Sequence, residues 1–271
     1  MIDNSLLIAV APNGARRNYA DHPHLPISPK ELAYTAARCL EAGAAMLHLH
    51  VRDEWGGHTL DARRYRAALK EIESAVGEDM LIQVTSEAAG VYRPHEQVAA
   101  VRELEPRCVS IGLREIIPDD TAIDFGASFL AELRERACLV QYILYSVEDI
   151  QRYQRFCVEG VIPTSGNLVL FVLGRYDNQQ YQESALQEYR AALTQPDNWM
   201  VCAFGSQEQR VMSQAIQLSG HVRVGFENNI WLQDGSLAED NSVLVSLSAQ
   251  SAREQGRNLA TIKDAVAMFG T

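Results

Sequence analysis

Short runs of β-branched and aromatic residues alternate with longer segments of helical period along the whole chain. The short runs are LLIAVA from Leu6, MLHLHVRD from Met46, LIQVTSE from Leu81 and CVSIGLRE from Cys108. They continue with LVQYILYS from Leu139, NLVLFVLG from Asn167, WMVCAFG from Trp199 and HVRVGFEN from His221. A helix-length segment follows each of the eight. Such alternation predicts a parallel sheet with helices outside it. Eight units in 271 residues predict one domain, a closed (β/α)8 TIM barrel spanning residues 1–271. A doubly wound open sheet needs a phosphate loop after its first strand. APNGARR in that place is neither GxGxxG nor a Walker A motif.

The punctuation agrees. Ser28-Pro29-Lys30-Glu31 reads as a capping box with proline at the first helical position, and Ser146 and Ser206 open similar patterns. Gly43, Gly77, Gly160 and Gly220 stand where helices should stop. Tyr65, Leu69, Ile72 and Val76 follow the helical period and should pack on the sheet. The stretch from Asn13 to Pro29 reads as a long active-site loop.

Side chains alternate across a strand. On the second strand His48, His50 and Arg52 share one face and Leu47, Leu49 and Val51 the other. On the third, Gln83, Thr85 and Glu87 line up; on the eighth, His221, Arg223, Gly225 and Glu227 do so. The apolar faces must meet the helices, so the polar faces point into the barrel. An unsatisfied polar group there costs roughly 1–3 kcal/mol, which points to a site at the strands' C-terminal ends. Residues two apart on a strand are ~6.6 Å apart, so His48 and His50 can converge on one ion. Glu227 is the best third ligand, because the eighth and second strands lie within two places of each other around the ring. His2Glu with an open position suits a Lewis-acidic Zn²⁺. The plainer alternative is a pair of hydrogen-bonded core histidines. The following Arg52-Asp53 and the polar eighth strand favour the metal. Arg223 can anchor a carboxylate or pair with one inside the barrel. Glu87 and Glu115 can be acid/base groups or arginine partners. Arg16 and Arg17 can meet an anionic substrate or stay solvated, and Gly205-Ser206 reads as a turn more than a phosphate site.

Twenty-four Lys and Arg against 35 Asp and Glu give a formal charge of −11. Such a surface repels phosphate backbones and anionic lipid, so neither a nucleic-acid nor a membrane partner is expected. No apolar run is long enough for a span, and MIDNSLLIAV has no basic leader. The five cysteines are scattered in apolar segments without a CxxC, as expected of free thiols in a cytoplasmic protein.

The chain resembles the β-keto acid cleavage enzymes over nearly its whole length. The likeness rests on NGARRNYADHPHLPISPKE at Asn13–Glu31, AGAAMLHLHVRD at Ala42–Asp53 and IQVTSE at Ile82–Glu87, and also on FVLGRY at Phe171–Tyr176 and GHVRVGFENNI at Gly220–Ile230. The resemblance implies a TIM barrel, a homo-oligomer (dimer or tetramer), and zinc held by His48, His50 and Glu227. It also implies a reaction: a β-keto acid and acetyl-CoA become acetoacetate and a new acyl-CoA. Arg223 matches the family's catalytic arginine and Thr85 its substrate-contacting hydroxyl. Asn13, Arg16, Ser110 and Asn228 are the further expected substrate contacts. Three positions depart from the typifying enzyme. Asn228 stands where an aspartate works in proton abstraction, Arg16 where a glutamate recognises an amino group, and Ser86-Glu87-Ala88 where TGG occurs. Glu87 is therefore the expected base, and the substrate's distal end is expected to be anionic or neutral. The competing functions are a metal-dependent aldolase or hydrolase that does not use CoA, and a barrel whose metal site is structural or lost. Hydrolase barrels with HxH on the first strand carry histidines after later strands, which the fifth and sixth lack here.

Overall fold

The computed structural model describes residues 5–164, 167–175, 181–182, 184–195 and 197–270. The MIDN stretch and Tyr176 of the FVLGRY motif lie outside them. Eight parallel strands close into a barrel in which each strand pairs with its neighbours in sequence and the first pairs with the eighth. They are Ile8–Val10, Met46–Leu49, Leu81–Thr85, Cys108–Gly112, Leu139–Leu144, Leu168–Leu173, Asn198–Ala203 and His221–Val224. The first strand lies between the eighth and the second, with Ala9 level with Arg223 on one side and Met46 on the other. The ring position expected for His48 and Glu227 is therefore met.

The alternation sorts the side chains into two cores. Leu47, Leu49, Val84, Val109, Val222 and Val224 face outward against the helices. Leu7, Met46, Leu81, Leu139, Leu168 and Met200 fill the interior at the strands' N-terminal end. Helices follow every strand, beginning with Pro29–Ala42 and Ala62–Val76. Ser28 accepts from the Glu31 amide and Glu31 returns the bond, as a capping box should. Gly43 ends that helix in a left-handed conformation. Two caps differ from expectation. The helix after the seventh strand begins at Glu208 with Gln207 as an N-cap that makes no side-chain bond, so Ser206 does not cap it. The left-handed residue after Gln217 is Ser219; Gly220 is needed for packing, because a Cβ there would lie 2.2 Å from the Trp199 ring.

Two elements go beyond eight simple units. A final helix, Ile262–Ala267, and the turn after it pack Ala265, Met268 and Phe269 onto the interior cluster and close the N-terminal end of the barrel. After Leu49 the chain leaves the barrel, and Val51–Arg52 pairs antiparallel with His58–Thr59. Arg52 consequently does not face inward with His48 and His50. Its guanidinium donates to the carbonyls of Gly14, Arg17 and Gly56 and holds the first loop over the barrel. All five cysteines are free thiols. No helix among the described residues is long and apolar enough to cross a membrane.

Candidate active site

The polar interior begins halfway up the barrel. Gln83 and Gln141 point inward from the third and fifth strands, both buried. The Gln83 amide group donates to Gln141 Oε1 at 3.2 Å and its oxygen accepts from His48 Nδ1 at 2.8 Å. An amide oxygen can only accept, so the proton of His48 sits on Nδ1. Nε2 is left with a lone pair aimed at the C-terminal mouth. Burial, then the charge of Arg223, lowers the His48 pKa to about 3, so the ring is neutral at pH 7.

His50 follows directly after the strand, with its Nε2 3.1 Å from that of His48. Glu227 arrives from the other side. Its route is not the straight alternation expected, because the eighth strand stops at Val224. Gly225 bends the chain with φ of +132°, and a Cβ there would sit 2.4 Å from the Ala11 carbonyl oxygen. No other residue type permits that approach. The turn is pinned by Glu227 N–H to Ala11 O at 3.0 Å and by Asn241, whose side chain accepts from the Phe226 amide and donates to Pro12 O. Glu227 Oε2 then lies 3.6 Å from His48 Nε2 and 3.4 Å from His50 Nε2. Its other oxygen accepts from Arg223 at 3.0 Å.

These three buried residues bring their donor atoms within 4.8 Å of one another. Two ligands on a tetrahedral zinc at ~2.0–2.1 Å stand about 3.3 Å apart, close to the three separations found. Glu227 Oε2 is buried without a hydrogen-bond partner. A neutral lone pair and an unpartnered carboxylate oxygen converging on one point suit a divalent cation, which these residues could hold. Burial alone would raise the Glu227 carboxyl. The Arg223 guanidinium leads the effects that outweigh it and hold the group well below the ordinary carboxylate value.

A cleft of about 340 Å³ opens over this cluster. Its wall includes Arg16, Thr85, Glu87, Glu115 and Arg223, with Arg114 and Arg175. Glu87 Oε2 lies 3.6 Å from His50 Nε2. Its backbone amide donates to Thr85 Oγ1 at 3.0 Å, a local turn that directs the carboxylate inward. Burial, only partly offset by His50, raises the Glu87 pKa. Asn13, Ser110 and Asn228 are buried and form no part of the wall. Asn13 donates to the His50 carbonyl, and Asn228 accepts from Arg223 at 3.4 Å. Arg17 donates to the Asn228 carbonyl. His221 faces inward at the opposite end and takes no part. Glu115 accepts from the Ala88 amide and from Gln97.

Sequence reasoning gave Gln83 no role and overlooked Gln141 and His58. The inward amide pair could have been found from polar residues at alternate positions of apolar strands. His58, which donates to the Glu87 carbonyl at 2.8 Å, had no such signal, since the ribbon that carries it has no barrel register.

Fold and site together define a (β/α)8 barrel enzyme with a candidate bis-imidazole, carboxylate metal centre at its C-terminal mouth. The chain belongs to the beta-keto acid cleavage enzyme family, whose model matches residues 5–270. It is similar to the 3-keto-5-aminohexanoate cleavage enzyme of Fusobacterium nucleatum, 27% identical over 267 residues and 96% of each chain. It is also similar to the 3-oxoadipate:acetyl-CoA acetyltransferase of Cupriavidus necator, 26% identical over 97% of this chain and 94% of that protein. Among solved structures, the ternary complex of ObcA with a C4-CoA adduct and oxalate matches with a TM-score of 0.74 at 16% identity. That match covers 92% of this chain and 68% of ObcA, and is a likeness of fold.

Proposed function

We propose that the protein is a zinc-dependent enzyme that converts a β-keto acid and acetyl-CoA into acetoacetate and a new acyl-CoA. The observation that carries this is the convergence of His48, His50 and Glu227 below the cleft, in a chain of this family. The acetyl-CoA named for the Cupriavidus relative supports the co-substrate. Zinc, when bound by these three residues, supplies Lewis-acid polarisation of the β-keto group.

The chain's own residues do the rest. Glu87 takes a proton from the carbon between the keto and carboxylate groups; its burial makes it a stronger base than a solvated carboxylate. Asn228 cannot serve, having no basic group. The carbanion attacks the thioester carbon of acetyl-CoA, a carbon–carbon bond forms, and CoA leaves as thiolate. The thiolate adds to the original keto carbon. The bond from that carbon to the former carbanion centre breaks, giving the acyl-CoA, and the acetoacetate carbanion takes its proton back from Glu87. Arg223 supplies positive charge beside the negative charge that develops in both halves. The Thr85 hydroxyl accepts from Glu87 N–H and keeps its own proton for a substrate oxygen. Ser110 Oγ, Asn13 Oδ1 and Asn228 Nδ2 are buried without a hydrogen-bond partner. Each such group costs roughly 1–3 kcal/mol unless something pairs with it; behind the cleft wall, they suit a buried water more than direct substrate contact.

The test is a screen of β-keto acids with and without acetyl-CoA, following acetoacetate and acyl-CoA by mass spectrometry, with zinc measured on the same sample. The expected result is zinc in the purified protein and both products only when both substrates are present. Product formed without acetyl-CoA would replace this reading with a metal-dependent aldolase.

A further inference from the structure

The metal cluster and Arg223 occupy one end of the cleft. Three more guanidiniums line the same wall: Arg16 from the first loop, Arg114 after the fourth strand and Arg175 after the sixth. This is an unusual concentration in a chain of formal charge −11. Arg114 is held in place, its guanidinium stacked 3.9 Å from the centre of the Tyr145 ring and 3.7 Å from Asp149. Glu115, on the same wall, is already engaged, accepting N–H bonds from Ala88 and Gln97. A rigid guanidinium fork matches a carboxylate with two parallel hydrogen bonds. About 340 Å³ lies near the small end of ligand-site volumes, the size of a short acid more than of a nucleotide.

We propose that the mouth of the cleft binds a second carboxylate, so that the keto acid taken by this enzyme is a β-keto dicarboxylate. Arg114 and Arg175, with Arg16 beside them, hold its distal end. This rests on the reaction proposed above and names its substrate class. The phosphates of CoA share the same chemistry and are the rival occupant of these arginines.

The experiment compares a six-carbon β-keto dicarboxylate with the six-carbon β-keto monocarboxylate at saturating acetyl-CoA, in the wild type, R114Q and R175Q. The expected result is a wild-type preference for the diacid of roughly 10- to 100-fold in kcat/KM, the worth of a charge-assisted contact. Each variant should lose at least about tenfold more on the diacid than on the monoacid, through KM. Arg175 is exposed, so R175Q remains informative should R114Q fold poorly. Equal losses on both acids with a raised KM for acetyl-CoA would assign the arginines to CoA and overturn the proposal, as would a wild type indifferent to the second carboxylate. If neither acid turns over, calorimetric binding of adipate against hexanoate to the metal-loaded protein decides. Adipate binding lost in R175Q upholds the anion site while the reaction assignment fails; equal or absent binding overturns the site as well.

Discussion

His48 and His221 point into the same barrel from opposite ends, and the contrast between them shows what makes a buried histidine a candidate ligand. Both are buried, and burial lowers both to a pKa of about 3. Their partners differ. His221 Nδ1 accepts the Leu7 amide proton at 3.1 Å, a structural bond at the closed end of the barrel. His48 instead donates through Nδ1 to Gln83 and turns an unprotonated nitrogen toward His50 and Glu227. A depressed pKa therefore marks neither as functional; which group each ring nitrogen bonds does. The largest expected effect breaks this comparison. His48→Ala should abolish zinc retention and turnover while the folded circular dichroism spectrum persists. His221→Leu should keep both and lose roughly 1–3 kcal/mol of stability, the cost of an orphaned buried amide. Zinc loss in His221→Leu, or normal zinc in His48→Ala, would contradict the assignment of ends.

Next in size is the substitution that separates base from ligand. Glu87 and Glu227 both lie within 3.6 Å of His50 Nε2. Glu227 also reaches His48 and Arg223. Glu87→Gln should lower kcat about 10²- to 10⁴-fold, the usual range for a positioned base, with zinc content unchanged. Glu227→Gln should lose the metal as well. Near-normal turnover in Glu87→Gln would rule out Glu87 as the base.

The same contrast explains what could be read from the chain before its structure. Strand alternation was enough for the closed barrel and the inward polar faces, and the order of strands around the ring for the nearness of His48 and Glu227. It failed where the chain leaves the strand. Arg52 follows the barrel period in sequence, yet it lies on an antiparallel ribbon and binds the first loop. Glu227 reaches the site through a glycine-dependent turn, which no strand period describes. The inward face of each glutamine is legible, but not their pairing: Gln83 and Gln141 find each other across the barrel interior, 58 residues apart in sequence. Sharpening the His48 comparison means cutting that amide relay. Gln83→Leu removes the acceptor that fixes the His48 tautomer and should weaken zinc affinity about 10- to 100-fold, as loss of the group that orients a metal ligand does. A competition titration with a zinc chelator measures it, and unchanged affinity would leave the relay a packing feature only.

The smallest expected effect concerns two acids at the same end of the barrel. Glu227 is driven well below its ordinary pKa, burial being outweighed first of all by the Arg223 guanidinium. Glu208, equally buried, has its pKa raised to about 8, because burial outweighs the hydrogen bonds from Asn229 (3.2 Å) and Gly225 and the more distant charges of Arg17 and Arg223. Folded Glu208 thus keeps a proton that the unfolded chain releases near 4.5. The sign follows: as pH rises from about 4.5 to about 8 the folded state loses stability relative to the unfolded one, and above about 8 this loss is complete. Glu208→Gln preserves the shape and an oxygen to accept from Asn229, but has no proton to lose. Its Tm should match wild type near pH 4.5 and exceed it by several degrees at pH 8, an advantage on the order of a few kcal/mol. Parallel Tm profiles across that range would mean Glu208 ionises freely in the fold, and the opposition between the two acids would disappear.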